Sequence, residues 1–268
     1  MYTYLRYGDR LPTVAVVQVL LNRGIAGKEL AKDGIYGSNT RKAVQDFQRL
    51  RGLSPDGIVG RNTWSRLIVG TGFRIVNAVD ITDPDVLNTE GGDIRRAGGN
   101  PAVVGSMCNG IAQLVQELVG RMGETGNVVL LRLFGHGGPA AMGISDGTGS
   151  VPIRGRRVDL GDGDMSSLTL GTVASGAPEL ARLVPYFGCY TSTELHGCRV
   201  ARSVNGRRMI QRLADIWRIP VSAALNYQYA GGISTFRFEG PVYTAFPGGI
   251  GLRAWSSGLP DMPKITLH

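Results

Sequence analysis

The sequence predicts a small all-α three-helix module over residues 1–70, then a three-layer α/β domain with a mainly parallel sheet over residues 71–268. Three observations carry this expectation. One pattern of turn residues occurs twice within the first module. Amphipathic stretches flank its copies. Beyond them, short apolar runs alternate with helical periodicity, as strands joined by crossover helices do.

The repeated pattern is Asp33-Gly34-Ile35-Tyr36-Gly37-Ser38-Asn39-Thr40, which returns as Asp56-Gly57-Ile58-Val59-Gly60-Arg61-Asn62-Thr63. Each Asp-Gly is a turn signal, and each Asn-Thr is placed to cap a following helix. Val14, Val17, Leu20 and Leu21 share one helical face before the first copy, and Ala43, Val44, Phe47 and Leu50 share one after it. The expectation is three short helices joined by two Asp-Gly turns. With Gln18, Leu21, Asn22, Gln48, Gly52, Leu53, Trp64 and Leu67 added, the pattern resembles the peptidoglycan-binding type 1 domain over nearly all of residues 5–68. That resemblance implies a module that docks on cell-wall glycan or peptide, with peptidoglycan as partner. Asp33, Tyr36, Asn39 and Trp64 are the candidate glycan contacts, Tyr36 and Asn39 because their turn is expected at the surface. Phe47 is assigned to folding.

The bulk numbers set the outer limits. A chain of 268 residues allows one large domain or two smaller ones. Hydrophobic content of 43% and charged content of 19% are ordinary for a globular chain. No apolar run reaches the roughly 18 residues of a membrane-spanning helix, so no transmembrane segment is expected. Met1-Tyr2-Thr3-Tyr4-Leu5-Arg6 lacks the basic-then-apolar layout of a signal peptide. The net charge of +8 favours anionic partners. The basic residues fall in short clusters, such as Arg154, Arg156, Arg157 and Arg199, Arg202, Arg207, Arg208, without interleaved aromatics. Nucleic acid is therefore not an expected partner. Three cysteines are too few for a disulfide framework.

In the second domain, Phe73–Val79 and the apolar run Val128–Phe134 read as strands, with an amphipathic helix through Ile111, Leu114, Val115 and Leu118 between them. Thr172–Leu183 reads as helix, Thr193–His196 as a short strand, Val204–Trp217 as a strong helix and Pro220–Leu225 as a further strand. Residues 138–170 read as a long surface excursion. From Ser234, alternation of Phe236, Phe238 and Val242 predicts a β-rich tail.

The chemistry centres on His136 and Cys198. Each sits just past the carboxyl end of a predicted strand, where sites form in open α/β sheets. Glycines flank both: Gly135, Gly137 and Gly197. A cysteine before a helix is biased toward thiolate, the nucleophilic form. His136 is the matching base, and the amides of Gly137 and Cys198 are candidates to bind an oxyanion. This layout resembles the caspase-like (clan CD) cysteine peptidases, in which a His-Gly ends one strand and a Gly-Cys or Ala-Cys ends the next parallel strand. It is more similar to the bacterial caspase-like domain DUF4347, on Gly135-His136-Gly137, Leu195-His196-Gly197-Cys198-Arg199-Val200-Ala201, Gly206, Leu213-Ala214 and Val221–Ala224, covering residues 73–230. The resemblance implies His136 as base, Cys198 as nucleophile and a peptide or protein substrate. Asn226, Tyr227 and Gln228, after the last strand, are the candidate substrate contacts. No cofactor is expected. Cys189, His196, Cys198 and His136 fit no standard zinc spacing, so no metal is expected either.

Two other readings stand beside this one. Cys108 at the start of a helix, with His136 on a later strand, resembles the NlpC/P60 peptidoglycan peptidases, although Met107-Cys108-Asn109-Gly110 departs from that family's Asp-Cys-Ser-Gly context. Alternatively, the domain is a catalytically inactive caspase-like scaffold that binds protein. A wall-binding front module implies an extracytoplasmic place of action, reached by a specialised secretion system or by release on lysis.

Overall fold

The computed structural model describes residues 2–24, 29–80, 86–105, 110–144, 150–153, 156–159 and 167–264. The chain forms two compact units: Met1–Phe73 together with Ile250–His268, and Arg74–Gly249. The first junction between them falls at Phe73 and Arg74, and the tail from Ile250 belongs to the first unit rather than the second.

The first unit contains α1 (Pro12–Gly24), α2 (Ser38–Leu50) and α3 (Arg61–Leu67). Proline opens α1, where a missing amide proton costs nothing. Every residue from Pro12 to Leu21 is buried, so α1 is the hub rather than a one-faced helix. Around it, α2 buries Thr40, Val44, Phe47 and Gln48, and α3 buries Thr63, Trp64 and Leu67.

The sequence repeat is a structural repeat held by two buried glutamines. Gln18 Nε2 donates to Asp33 Oδ1, the Ile35 carbonyl and Thr40 Oγ1 at 2.8, 3.1 and 3.0 Å. Gln48 Nε2 donates to Asp56 Oδ1, the Ile58 carbonyl and Thr63 Oγ1 at 2.8, 2.9 and 3.0 Å. Each aspartate also accepts from the amide two residues on, Ile35 or Ile58. Gly34 and Gly57 have φ of 70° and 72°, a left-handed conformation that glycine adopts without strain. The expected Asn-Thr caps do not form. Gly37 and Gly60 are the capping residues, and neither helix start has a side-chain cap. Thr40 and Thr63 instead turn inward and donate to Ile35 and Ile58.

The second unit is built on a six-stranded sheet of order β11-β10-β9-β3-β1-β2. Its strands are β1 (Arg74–Asp80), β2 (Ala102–Val104), β3 (Val128–Phe134), β9 (Phe187–His196), β10 (Val221–Ala224) and β11 (Val242–Ala245). All neighbours are parallel except β10 and β11. Helices α5 (Gly110–Met122), α6 (Leu170–Ser175), α7 (Ala177–Ala181) and α8 (Val204–Trp217) form one layer. Their core packs against Val76, Ala78, Leu131, Leu133, Leu195, Val221 and Ala223 of the sheet.

The opposite sheet face is unlike an ordinary parallel-strand interior. Asn77, Arg132, Glu194, Ser222 and Thr244 lie side by side across five strands. Arg132, 0% exposed, donates from Nε to Asn77 Oδ1 at 2.9 Å, and its guanidinium lies over Phe134 and Phe236. A buried charge persists only when partnered in this way. Val86–Glu90, α4 (Gly91–Arg96) and the stretch from Gly232 to Phe238 cover this face.

Two expectations are corrected here. Residues 138–170 are not wholly a surface excursion. The short strands β4 (Gly137–Gly138), β5 (Ala141–Gly143) and β8 (Ser167–Leu168) pair, and Met142, Ile144 and Leu168 join the core. A two-stranded hairpin of β6 (Ser150–Ile153) and β7 (Arg156–Asp159) lies between them. Nor is the tail from Ser234 β-rich. It contributes one four-residue edge strand, β11, and a helix, α9 (Leu252–Ser257). Phe236 and Phe238 are buried, but Phe236 closes a 3-10 turn and Phe238 lies in irregular chain.

Candidate functional site

Strands β3 and β9 are adjacent and parallel, with Phe134 level with His196. The chain beyond each therefore emerges at the same sheet edge, and His136 and Cys198 each stand two residues past these levelled positions. The backbones meet. A methyl on Gly137 would lie 2.4 Å from the Cys198 nitrogen and 2.5 Å from its carbonyl oxygen. Only glycine lets the two segments pass this closely. Gly135 donates from its amide to the His196 carbonyl at 3.4 Å, tying the same two segments one step earlier. The candidate oxyanion donors, the amides of Gly137 and Cys198, thus belong to touching stretches of chain. His136 is exposed and Cys198 half-buried.

The loop after β10 is packed on the cysteine. The Gln228 amide donates to Cys198 Sγ at 3.4 Å, and the thiol faces the Gln228 carbonyl at 3.5 Å. The Arg199 amide donates to the Asn226 carbonyl at 2.9 Å, and the Arg199 guanidinium lies 4.2 Å from the Tyr227 ring centre. All three candidate substrate contacts therefore adjoin the Cys198 turn. The Gln228 side chain is engaged within the loop, donating to the Tyr227 and Glu239 carbonyls and accepting from the Glu239 amide. Asn226 and Tyr227 remain exposed.

Arg199 holds φ at 56°, a left-handed conformation that costs a non-glycine residue roughly 1–2 kcal/mol. Backbone strain of this kind is concentrated at functional turns, though Arg218 at the end of α8 shares it. Sequence reasoning missed Arg199 as a site residue, and it missed Glu239, whose carboxylate accepts from the Tyr229 amide and from Ser234 Oγ. Neither has a motif, because both depend on where the loop after β10 folds back.

The helix that follows Cys198 begins at Val204, as expected, but it does not adjoin the cysteine. Residues 198–203 form turns, Ser203 caps α8 by accepting from the Gly206 amide, and helix begins at Val204. A helix dipole acts within its first turn, so it gives Cys198 no direct support.

His196 points into the covered sheet face. It stacks between Phe134 at 4.7 Å and Phe238 at 4.5 Å, and Nε2 lies 3.0 Å from Glu194 Oε2. Burial pulls its pKa below the ordinary value of 6.5, against the opposing pull of Glu194. Cys189 is exposed at the opposite end of β9 from Cys198, and desolvation pushes its thiol up. Among the described residues no cluster of three or more His, Cys, Asp or Glu could hold a metal ion. Cys108, the alternative nucleophile, lies outside the described residues.

In the first unit the candidate glycan contacts divide. Tyr36 is fully buried and donates its hydroxyl to the Gly57 carbonyl at 3.0 Å. Burial, with Asp56 and Asp9 nearby, pushes that phenol far above its ordinary range. Trp64 is fully buried too. Both are core residues and cannot meet a glycan, which corrects the expectation. Asp33 is half-buried and bonded to Gln18, while Asn39 is exposed.

Residues 11–67 match the family described as "Putative peptidoglycan binding domain". A peptidoglycan-binding domain therefore stands at the front of the chain, which points to a cell-wall-associated protein. A protein of Kitasatospora aureofaciens described as "Uncharacterized protein in bpoA1 3'region" is 41% identical over 63 residues, 24% of this chain and 53% of the relative. The chain thus spans about half the length of that relative. No solved structure matches the chain. Among the described residues no helix is long and apolar enough to cross a membrane.

Proposed function

With a peptidoglycan-binding domain as premise, we propose that this is a wall-attached cysteine hydrolase of caspase-like type that cleaves amide bonds with Cys198 and His136. The observation that carries the reading is the contact of Gly137 with the Cys198 peptide at the carboxyl edge of two adjacent parallel strands. It brings a His-Gly and a Gly-Cys together in the order that the caspase-like resemblance implies.

In this reaction Cys198 Sγ attacks the substrate carbonyl carbon while His136 takes the thiol proton. The amides of Gly137 and Cys198 stabilise the oxyanion. His136 returns that proton to the leaving amine, and an acyl-thioester remains on Cys198. Water, deprotonated by His136, then attacks the thioester, and the thiol regains its proton as the acid product leaves. Attachment to the wall places the reaction outside the cytoplasm and raises the effective concentration of substrate there.

The test is mass spectrometry of native protein treated with limiting iodoacetamide, beside His136→Ala. Selective labelling of Cys198 that collapses in the variant is the expected result. Equal, slow labelling of Cys108, Cys189 and Cys198 would leave the large domain as a binding scaffold. Selective labelling of Cys108 would move the nucleophile there.

A further inference from the structure

The two copies of the repeat share an internal frame but differ in what lies over them. In the first copy, the segment before the Asp-Gly turn is covered by the chain's own tail. Lys32 Nζ donates to the Leu259 carbonyl at 2.6 Å and to Asp261 Oδ1 at 2.7 Å. Lys264 Nζ bonds to the Asn22 carbonyl and to Glu29. Leu252 of α9 lies so close that a methyl on Gly34 would meet its Cδ1 at 2.6 Å.

The equivalent segment of the second copy, from Leu53 to Asp56, lines an open cleft of about 230 Å³. Tyr4, Gln48, Ser54, Asp56, Arg61 and Asn62 also line it. The hydrogen bonding changes in the same place. Gln18 Oε1 accepts from two amides, Asp33 and Gly34. Gln48 Oε1 accepts from Gly57 alone among the described residues, because the Asp56 amide turns to the Ser54 carbonyl. One acceptor position on a buried glutamine is thus left at the cleft. Asp56 Oδ1 is bonded to Gln48 and the Ile58 amide, whereas Oδ2 has no hydrogen-bond partner among the described residues.

We propose that the second-copy cleft is the wall-binding site of this chain and that it takes the peptide part of peptidoglycan rather than the glycan. This deepens the wall-binding half of the proposed function and rests on it. The cleft offers a carboxylate (Asp56), a guanidinium (Arg61) and neutral donors and acceptors (Ser54, Asn62) within the space of a short peptide. A peptide end carries the complementary ammonium or carboxylate. A neutral sugar ring would gain more from aromatic faces, and here Tyr4 alone is aromatic. Arg61 stands where the first copy has Ser38, so the charge pair belongs to the second copy alone.

The test uses the full chain in co-sedimentation with purified peptidoglycan, and in titration with two soluble probes: wall fragments that retain their peptides, and glycan chains stripped of them. Arg61 and Asn62 are exposed, so R61A/N62A is expected to keep the fold, checked by circular dichroism, yet bind roughly tenfold more weakly through loss of charge-assisted and amide hydrogen bonds. The first-copy counterpart Ser38→Ala is expected to bind as the parent does. Peptide-bearing fragments are expected to saturate the protein and stripped glycan is not. Unchanged binding in R61A/N62A, weakening in Ser38→Ala instead, or equal binding of stripped glycan would each overturn the proposal while leaving wall binding intact. Failure of the parent chain to sediment with peptidoglycan would overturn wall binding and this site with it.

Discussion

Between Phe134 and Phe238, the His196 ring is buried away from solvent, which disfavours its protonated form, and the charged groups facing it are Glu194 and Arg132. Its folded pKa lies below the ordinary 6.5, so just below pH 6.5 the unfolded chain binds a proton that the native chain refuses. Stability from this residue is complete above pH 6.5 and is lost as the pH falls toward the folded value, by at most about 1.4 kcal/mol per pH unit. Urea unfolding at pH 7.5 and pH 5.5 should show the loss, and His196→Phe should remove most of it. Equal loss in the variant would assign the acid sensitivity to other groups. Gly137 makes a second residue-scale prediction. Alanine there sets carbon against backbone rather than against a yielding side chain, at a cost of about 3 kcal/mol. Gly137→Ala should slow Cys198 labelling and lower stability. Gly138→Ala should do neither, since nothing lies within 4 Å of its added methyl.

At the scale of elements, legibility followed periodicity. Val204–Trp217 is legible to its observed limits, because a polar face and inward Met209, Ile210 and Leu213 agree with one another. The run Val128–Phe134 was read as β3 despite the charge within it. Strand β9 was read only over its last four residues, since Phe187–Ser192 begins half-exposed and lacks an apolar run. The short pairs within residues 137–168 are glycine-rich and owe their form to the sheet edge they cover, so no local pattern announces them. The same division holds for the candidate site. Cys198 and His136 were legible through their glycines. The Arg199–Tyr227 stack was not, because it joins turns 28 residues apart in sequence. An aromatic on a turn reads as exposed, but Tyr36 is buried because its hydroxyl reaches across to the second copy of the repeat.

At the scale of the molecule, the first unit is assembled from two distant stretches of chain. Leu259 is buried and Leu252 packs on Gly34, so deleting residues 250–268 should destabilise that unit by about 2–3 kcal/mol of lost apolar burial. The exposed ion pairs of Lys32 and Lys264 add little. Thermal unfolding of the shortened chain would measure the loss, and an unshifted transition would show the tail to be dispensable. This closure also decides how the larger unit is held. It is an insertion looped out of the smaller one, leashed at both ends, near residues 73 and 250. One proteolytic nick at either junction would leave it moored, by chain on one side and by the Leu252, Leu259 and Lys32 clasp on the other. Setting it adrift from the smaller unit takes two cuts, or a cut near residue 73 and the opening of the clasp.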